Sequence, residues 1–425
     1  MLTIKFIKEN PNIVKKDLKK RNDLEKVKWI DLILKKHSQY LDLLKKEQEL
    51  RYRRNLITDE IRQLKKQDRD IKDKVKEAKE FPQKVNELTA KVNTLRSEIR
   101  HYLMRVPNIL HDSVPVGKSE KDNKVLRKFG EIKKPNFELK THEDVIESLN
   151  LGNFDAAAKV SGKGFYYLLG DLALMEMALQ RFAVDILTKK GYILAEVPLM
   201  LRRKPYEGVT DLGDFETMMY KIENEDLYLI ATSEHAIGAM HSDHIFNENN
   251  LPKKFVGVSS CFRKEIGSHG VDEKGLFRVH QFNKVEQFIF CKPEDSWEFH
   301  EELIKNAEEI YKKLKLPYRV ISICTADIGT VAAKKYDLEA YMPREKAYKE
   351  VVSCSNCTSY QAVRLNIKYQ KGKEKEYVYT LNSTAIATSR TLRAILENYQ
   401  QKDGTVKVPT VLVPYMNGIK VLTKS

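Results

Sequence analysis

Along the first hundred residues, apolar side chains recur at steps of three and four. Ile30, Leu34, His37, Leu41 and Leu44 form one series, which blurs through Arg51-Tyr52-Arg53-Arg54 and resumes at Ile57, Ile61 and Leu64. Val85, Leu88, Val92, Leu95, Ile99 and Tyr102 form a second. A period of about 3.5 residues is a coiled-coil seam, because it keeps one stripe of each helix turned to its partner. Between the series lies Lys65-Lys66-Gln67-Asp68-Arg69-Asp70, which has nothing to bury. The pattern predicts a helical hairpin over about 27–105, its tip near 66–71, about 50 Å long at roughly 1.5 Å per residue. Pro82 is expected to kink or loosen the returning helix, since it lacks an amide hydrogen.

The pattern then changes. Pro107, Pro115, Pro135, a first glycine at Gly117 and the polar run Lys118-Ser119-Glu120-Lys121-Asp122-Asn123 read as a connector over 107–150. Beyond it, helical faces alternate with aromatic and β-branched runs, predicting an α+β domain over 151–425 behind an N-terminal domain over 1–106. A helix is expected over 172–190, ended by Gly191, then a strand closed by Pro198. Strands are expected at 227–231, 255–263, 277–290 and 377–381, helices at 293–314 and 391–400. The glycine-rich stretch Ile266–Gly275 joins two of these strands as an antiparallel pair.

Charge sharpens the first region. Of a net +15, residues 1–105 carry +12, from 29 Lys and Arg against 17 Asp and Glu. A basic rod suits a polyanion such as nucleic acid, although a solvated Lys-rich face has the same composition. Hydrophobic residues make up 42%, enough for a sizeable core, and no run approaches the ~20 uncharged residues that span a bilayer. The charged N-terminus is no secretory signal, and five cysteines make no disulfide framework, so a cytoplasmic location and no membrane partner are expected.

The chemistry concentrates around the glycine-rich stretch. On a strand, Arg278, His280, Phe282, Lys284 and Glu286 share one face, with Arg263 and Glu265 on the partner strand. Arginines there suit phosphate or carboxylate, and Phe282 suits a planar base. A solvated sheet face with an incidental Phe fits the same alternation.

Phe262-Arg263-Lys264-Glu265, with the run Gly275 to Gln287, resembles motif 2 of seryl-tRNA synthetases. Leu381-Asn382-Ser383-Thr384 through Arg390-Thr391-Leu392 resembles their motif 3, and 172–198 is similar to motif 1. Thr232-Ser233-Glu234 resembles the T-x-E element, and Ser353-Cys354-Ser355-Asn356-Cys357 the S-C-S-N-C stretch. The basic hairpin resembles the family's tRNA-binding arm.

The resemblance implies a class II catalytic domain, an antiparallel sheet flanked by helices, in a homodimer built partly on motif 1. It implies a serine–tRNA ligase that forms seryl-adenylate from L-serine and ATP, then charges tRNA(Ser). It leaves open tRNA(Sec) as a second substrate. By residue, it puts Arg263 on the α-phosphate and Arg390 on the γ-phosphate as the catalytic pair. It puts Phe282 and Val279 at the adenine and Glu265 at its amino group, with Lys264, Arg278, Val351 and Val352 also in the ATP site. Glu350 and Ser353 match the pair that holds Mg²⁺. Thr232, Ser233 and Glu234 match the ammonium site. Glu286, Thr384 and Asn382, with Arg263, match the remainder of the serine site.

Other features read as structural. Cys354-x-x-Cys357 has no second C-x-x-C to complete a zinc set. His235, His241 and His244 read as helix-surface residues, and Lys334 and Lys335 as solvent-facing. The Phe-Gln-Ala-Arg-Arg-like stretch is Tyr360-Gln361-Ala362-Val363-Arg364, and Asn382-Ser383-Thr384 stands where many members have Asn-Gly-Ser. A relative that loads a carrier protein lacks the arm; a dead module would have lost Arg263, Glu265, Phe282, Glu350 or Arg390.

Overall fold

With no glycine before Gly117, and Pro82 as the one helix-breaking residue between Pro11 and Pro107, the N-terminal chain favours long helices. In the computed structural model, which describes residues 1–266 and 274–424, Leu2–Val106 form one unit and the residues from Pro107 onward another.

The first unit is helical throughout. Short helices at Ile4–Glu9 and Pro11–Lys20 precede α1 (Leu24–Lys66) and α2 (Lys72–Leu103). The Asp23 carboxylate caps α1 by accepting from the Lys26 amide at 3.2 Å. The turn falls between Lys66 and Lys72, at the polar run. On α2 the buried stripe is Phe81, Val85, Val92, Ile99 and Leu103, close to the pattern read from the sequence.

On α1 the series read from the sequence holds except at one position. Ile30 and Ile33 are fully buried, while Leu41 is 44% exposed. Ile30, Leu34, His37, Leu44, Ile57, Ile61 and Leu64 are covered as expected, and Ile33, Tyr40, Glu47, Leu50 and Arg54 join them. The three-four alternation continues through the region that looked blurred, but polar residues occupy several of its places. Glu47 is buried because its carboxylate accepts from the Thr89 hydroxyl (2.6 Å) and the Arg51 guanidinium (2.7 Å). Pro82 lies on the exposed side of α2, and the helix runs through it.

The second unit centres on an eight-stranded sheet. Its strands are β1 (Lys124–Phe129), β2 (Ile193–Glu196), β3 (Lys253–Phe262), β4 (Gln281–Cys291), β5 (Tyr318–Ser322), β6 (Lys334–Met342), β7 (Ala347–Asn356) and β8 (Tyr379–Ala387). They lie in the order β1-β5-β6-β7-β8-β4-β3-β2, antiparallel except for edge strand β2, which runs parallel to β3. The stretch 107–150, read as a connector, supplies β1 and a helix at His142–Ser148 whose Val145 and Ile146 are in the core. Proline and charge density concealed these two elements.

Helices α3 (Gly170–Lys189), α4 (Ser233–Met240), α5 (Ser296–Lys313) and α6 (Thr388–Asn398) complete the layers that bear on the site. Gly191 follows α3 at φ +84°, a left-handed position that glycine fills without strain. Strand β4 shows how the layers are divided. Val285, Ile289 and Cys291 join the main core with Leu179 of α3, Leu303 and Ile310 of α5 and Ile395 of α6. Phe288 and Phe290, on the other face, pack with Phe255 and Ile237. Phe282, Lys284 and Glu286 share that second face and are left to line a cavity. No helix among the described residues is long and apolar enough to cross a membrane.

Candidate active site

The cavity has a volume of about 430 Å³, and its floor is the second face of β4, β8, β7 and β6. Alternation places Phe282, Lys284 and Glu286 of β4 and Asn382 and Thr384 of β8 on that floor. Thr384 lies directly across from Glu286, and its hydroxyl donates to Glu286 Oε2 at 3.3 Å.

Strand β7 reaches the floor by a different route. Glu350 and Ser353 are three residues apart, so a regular strand would point them to opposite faces. The ladder slips between Leu338 and Glu339: Val352 pairs with Leu338, and Glu350 with Glu339, leaving Val351 as an extra residue. That bulge turns Glu350, Val351 and Ser353 all toward the cavity. A second slip, between Thr384 and Ile386, precedes Ala387, Ser389 and Arg390, which line it too.

The walls come from chain ends of strands and helices. Arg263 follows β3, with its amide donating to the His280 carbonyl at 2.9 Å and its own carbonyl 2.9 Å from His280 Nδ1. Its guanidinium stands 5.3 Å from the Phe282 ring centroid. Arg390 lies in the first turn of α6, which begins at Thr388, three residues ahead of the expected helix start. It donates from Nε to the Phe277 carbonyl (3.2 Å) and from Nη1 to the Glu350 carbonyl (3.0 Å). Two guanidinium groups, a ring and a carboxylate thus border one space.

Thr232 and Glu234 enter at the start of α4, which sits close to β3 because residue 257 is glycine. A Cβ there would stand 2.6 Å from Ser233 Oγ and 2.8 Å from Ser233 Cβ. Glu234 Oε1 accepts from Asn382 Nδ2 and Gln361 Nε2, each at 3.0 Å. Burial, reinforced by Glu286, raises the Glu234 carboxyl to about 7, against the pull of Lys284, Gln361 and Arg263. Burial also raises Glu286, which Lys284 opposes from 2.7 Å.

The cavity thus gathers Thr232, Glu234, Arg263, Glu265, Val279, Phe282, Glu286, Glu350, Val351, Ser353, Asn382, Thr384 and Arg390. Four sequence candidates lie outside its lining. Ser233 turns toward Gly257, and Val352 belongs to the main core. Lys264 sits with Nζ 5.8 Å from the Tyr220 ring centroid. Arg278 precedes β4, which begins at Gln281 and not 277, so neither Arg278 nor His280 shares the alternation of Phe282. The His280 ring stacks on Phe165. Most of the glycine-rich stretch, 267–273, lies outside the described residues.

Two solvent-facing readings are corrected. Lys335 lines the cavity, 3.6 Å from the buried carboxylate of Asp337, because its strand is interior to the sheet. His235 is 6% exposed and also lines it, one residue past Glu234, and burial holds its imidazole well below the usual value. His241 is half-buried and His244 exposed. Lys284 was legible from strand alternation; Lys335, Thr210, Asp211 and Asp327 had no local signal. Cys354 lies in the core beneath α5, while Cys357 lines the cavity.

The arrangement suits a polyphosphate bound beside a small zwitterion. A hard cation fits at Glu350 and Ser353, which line the cavity together, with Asp337 Oδ1 buried nearby and without a hydrogen-bond partner among the described residues. Among the described residues no three His, Cys, Asp or Glu side chains converge as a complete metal cage.

Residues 1–110 match the seryl-tRNA synthetase N-terminal domain, and 216–399 the class II tRNA synthetase core domain (G, H, P, S and T). A serine–tRNA ligase of Methanocella arvoryzae is 56% identical, over 99% of this chain and 100% of the relative. The crystal structure of Pyrococcus horikoshii seryl-tRNA synthetase complexed with ATP superimposes at TM-score 0.91, with 48% identity and both chains covered completely. The cytoplasmic Naegleria fowleri enzyme in complex with AMP gives 0.83 and 38%, covering 98% of this chain and 96% of that one.

Proposed function

The chain belongs to the seryl-tRNA synthetase family, and we propose that its cavity is where L-serine and ATP become seryl-adenylate before transfer to tRNA(Ser). One observation carries the reading: two arginines, a ring and a buried carboxylate beside a threonine hydroxyl border the same 430 Å³ space.

The adenine lies against Phe282, with the phosphates toward Arg263 and Arg390. Serine lies deeper, its ammonium toward Glu234 and Thr232, its hydroxyl toward Glu286 and Thr384. The serine carboxylate is already ionised, so no general base is required. It attacks the α-phosphorus, and the bond to the pyrophosphate oxygen breaks. Arg263 follows the charge that develops at the α-phosphate, which positioning and electrostatics can supply without a proton transfer. Glu350 and Ser353 would hold Mg²⁺, which contributes neutralising charge at phosphate oxygens. In the second step the 3′-terminal ribose hydroxyl of tRNA attacks the acyl carbon and AMP leaves. Alanine is disfavoured because it lacks the hydroxyl that would add a hydrogen bond to the buried Glu286 and Thr384 pair.

Further parts of the reading rest on the surface. The basic hairpin holds the tRNA. Ile193 and Leu194 of edge strand β2 and Met177 of α3 are at least half exposed, an apolar surface that supports a homodimer. Five free, buried cysteines support work in the cytoplasm.

Serine-dependent ATP–pyrophosphate exchange tests the first step, and charging of tRNA(Ser) the second. Exchange should be present in the wild type and lost in Arg263→Ala and Arg390→Ala. Undiminished exchange in both folded variants would overturn the site. A tRNA(Sec) transcript in the same charging assay decides whether that tRNA is a second substrate.

A further inference from the structure

We propose that Gln361 is a positioning residue for the substrate ammonium: its buried carboxamide fixes the Glu234 carboxylate so that one oxygen faces the cavity. The inference rests on the assignment of Glu234 to the ammonium.

Gln361 lies in the short helix Tyr360–Leu365, fully buried, and does not line the cavity. Every polar atom of its side chain is engaged. Nε2 donates to the Val209 carbonyl at 2.8 Å and to Glu234 Oε1 at 3.0 Å, and Oε1 accepts from the Thr380 hydroxyl at 2.6 Å. A carbonyl oxygen only accepts, so Val209 decides which end of the amide is the donor. The second hydrogen of that NH₂ is then committed to Glu234. Asn382 Nδ2 donates to the same oxygen, at 3.0 Å. Both donors fall on Oε1, and no side chain among the described residues bonds Oε2. The carboxylate is therefore held by one oxygen and offers the other.

Why a strut is needed follows from the surroundings. Glu234 stands on the first turn of an eight-residue helix, with buried Glu286 in the same cavity. A buried carboxylate with freedom to rotate would turn toward Lys284 or Arg263 and bind no ammonium. Thr380, Gln361 and Glu234 form a chain from β8 to α4, so one rigid strand sets the geometry of a group on a helix end.

The test uses the full chain. Gln361→Met keeps volume and removes the amide. Thr380→Val keeps shape and removes the hydroxyl that orients it. The expected result for Gln361→Met is a KM for serine raised by about tenfold or more, as for a lost hydrogen bond to a charged group, with KM for ATP and kcat little changed. A second measurement separates positioning from loosened structure: inhibition by a non-hydrolysable seryl-adenylate mimic and by the same mimic lacking its amino group. The wild type should prefer the aminated mimic, and Gln361→Met should lose most of that preference. Thr380→Val should shift both readouts the same way by a few-fold, and it carries the test if Gln361→Met does not melt cooperatively. Parallel rises in KM for serine and ATP with the preference intact, or no change in any folded variant, would overturn the inference. Glu234→Gln is run alongside. If it leaves the preference intact, the ammonium assignment itself fails. If it abolishes the preference while Gln361→Met does not, only the role of Gln361 fails.

Discussion

The arm and the sheet domain use the same chain chemistry at different ranges. In the arm, each buried side chain is decided by neighbours three and four residues away and by one partner helix. In the cavity, Thr232, Arg263, Phe282, Glu350 and Arg390 meet although about 160 residues separate the first from the last. The arm therefore tolerates polar substitutions along its stripe as long as each finds a local partner, as Glu47 does with Thr89 and Arg51. The cavity depends on register, since a slip of one residue at Val351 would turn Glu350 to the opposite face.

The comparison breaks most decisively at Arg263. Arg263→Ala should lower exchange by about a thousandfold, the usual scale for one preorganised charge donor, while leaving tRNA affinity nearly intact. Loss of both in a folded protein would mean that the two units do not divide the work. Next in size, reversing exposed arm charges together, for instance Arg53, Lys65 and Lys66 to Glu, should cut tRNA charging by about a hundredfold at physiological salt and spare exchange. Charging should also fall more steeply with salt in the wild type than in that variant. Equal loss of exchange and charging would refute the division.

Within the arm, Ile33→Ala should cost about 2–4 kcal/mol in denaturant unfolding, as for a buried aliphatic truncation. Leu41→Ala should cost less than about 1 kcal/mol, because its side chain already meets water. The reverse ranking would put Leu41 back on the seam.

The smallest effect is a pH dependence. Glu234 must be ionised to hold an ammonium, and its carboxyl sits near 7. Serine affinity should hold steady above that pH and weaken about tenfold for each unit below it. Linkage gives the opposite sign for the fold. The folded state binds this proton more tightly than the unfolded chain does, so the contribution of Glu234 to stability declines as pH rises from about 4.5 to 7. A flat serine KM between pH 5.5 and 8, a window of about 2.5 units, would contradict the ammonium role.

How much was legible in the sequence varied with the range of the deciding contacts. The returning helix of the arm could be read directly, since apolar residues fill nearly every place on its stripe. The outgoing helix was legible at both ends and failed at Leu41 and through its middle, because Tyr40, Glu47 and Arg54 hold places where the eye looks for leucine. Strand alternation sufficed for Phe282, Lys284 and Glu286, but it wrongly enrolled Arg278 and His280 by extending the strand too far toward its start.

By itself the sequence determined the helical arm, the turn at its polar tip, the alternating face of β4 and the residue types able to meet a nucleotide and an alcohol. Those are properties of neighbours along the chain, with periods of two or three and a half. Tertiary structure alone decided that Val351 bulges out, that Gly257 lets α4 approach, that Lys335 and His235 face inward and that Gln361 stands behind Glu234. Each depends on which distant strand or helix lies alongside, and no local period records that.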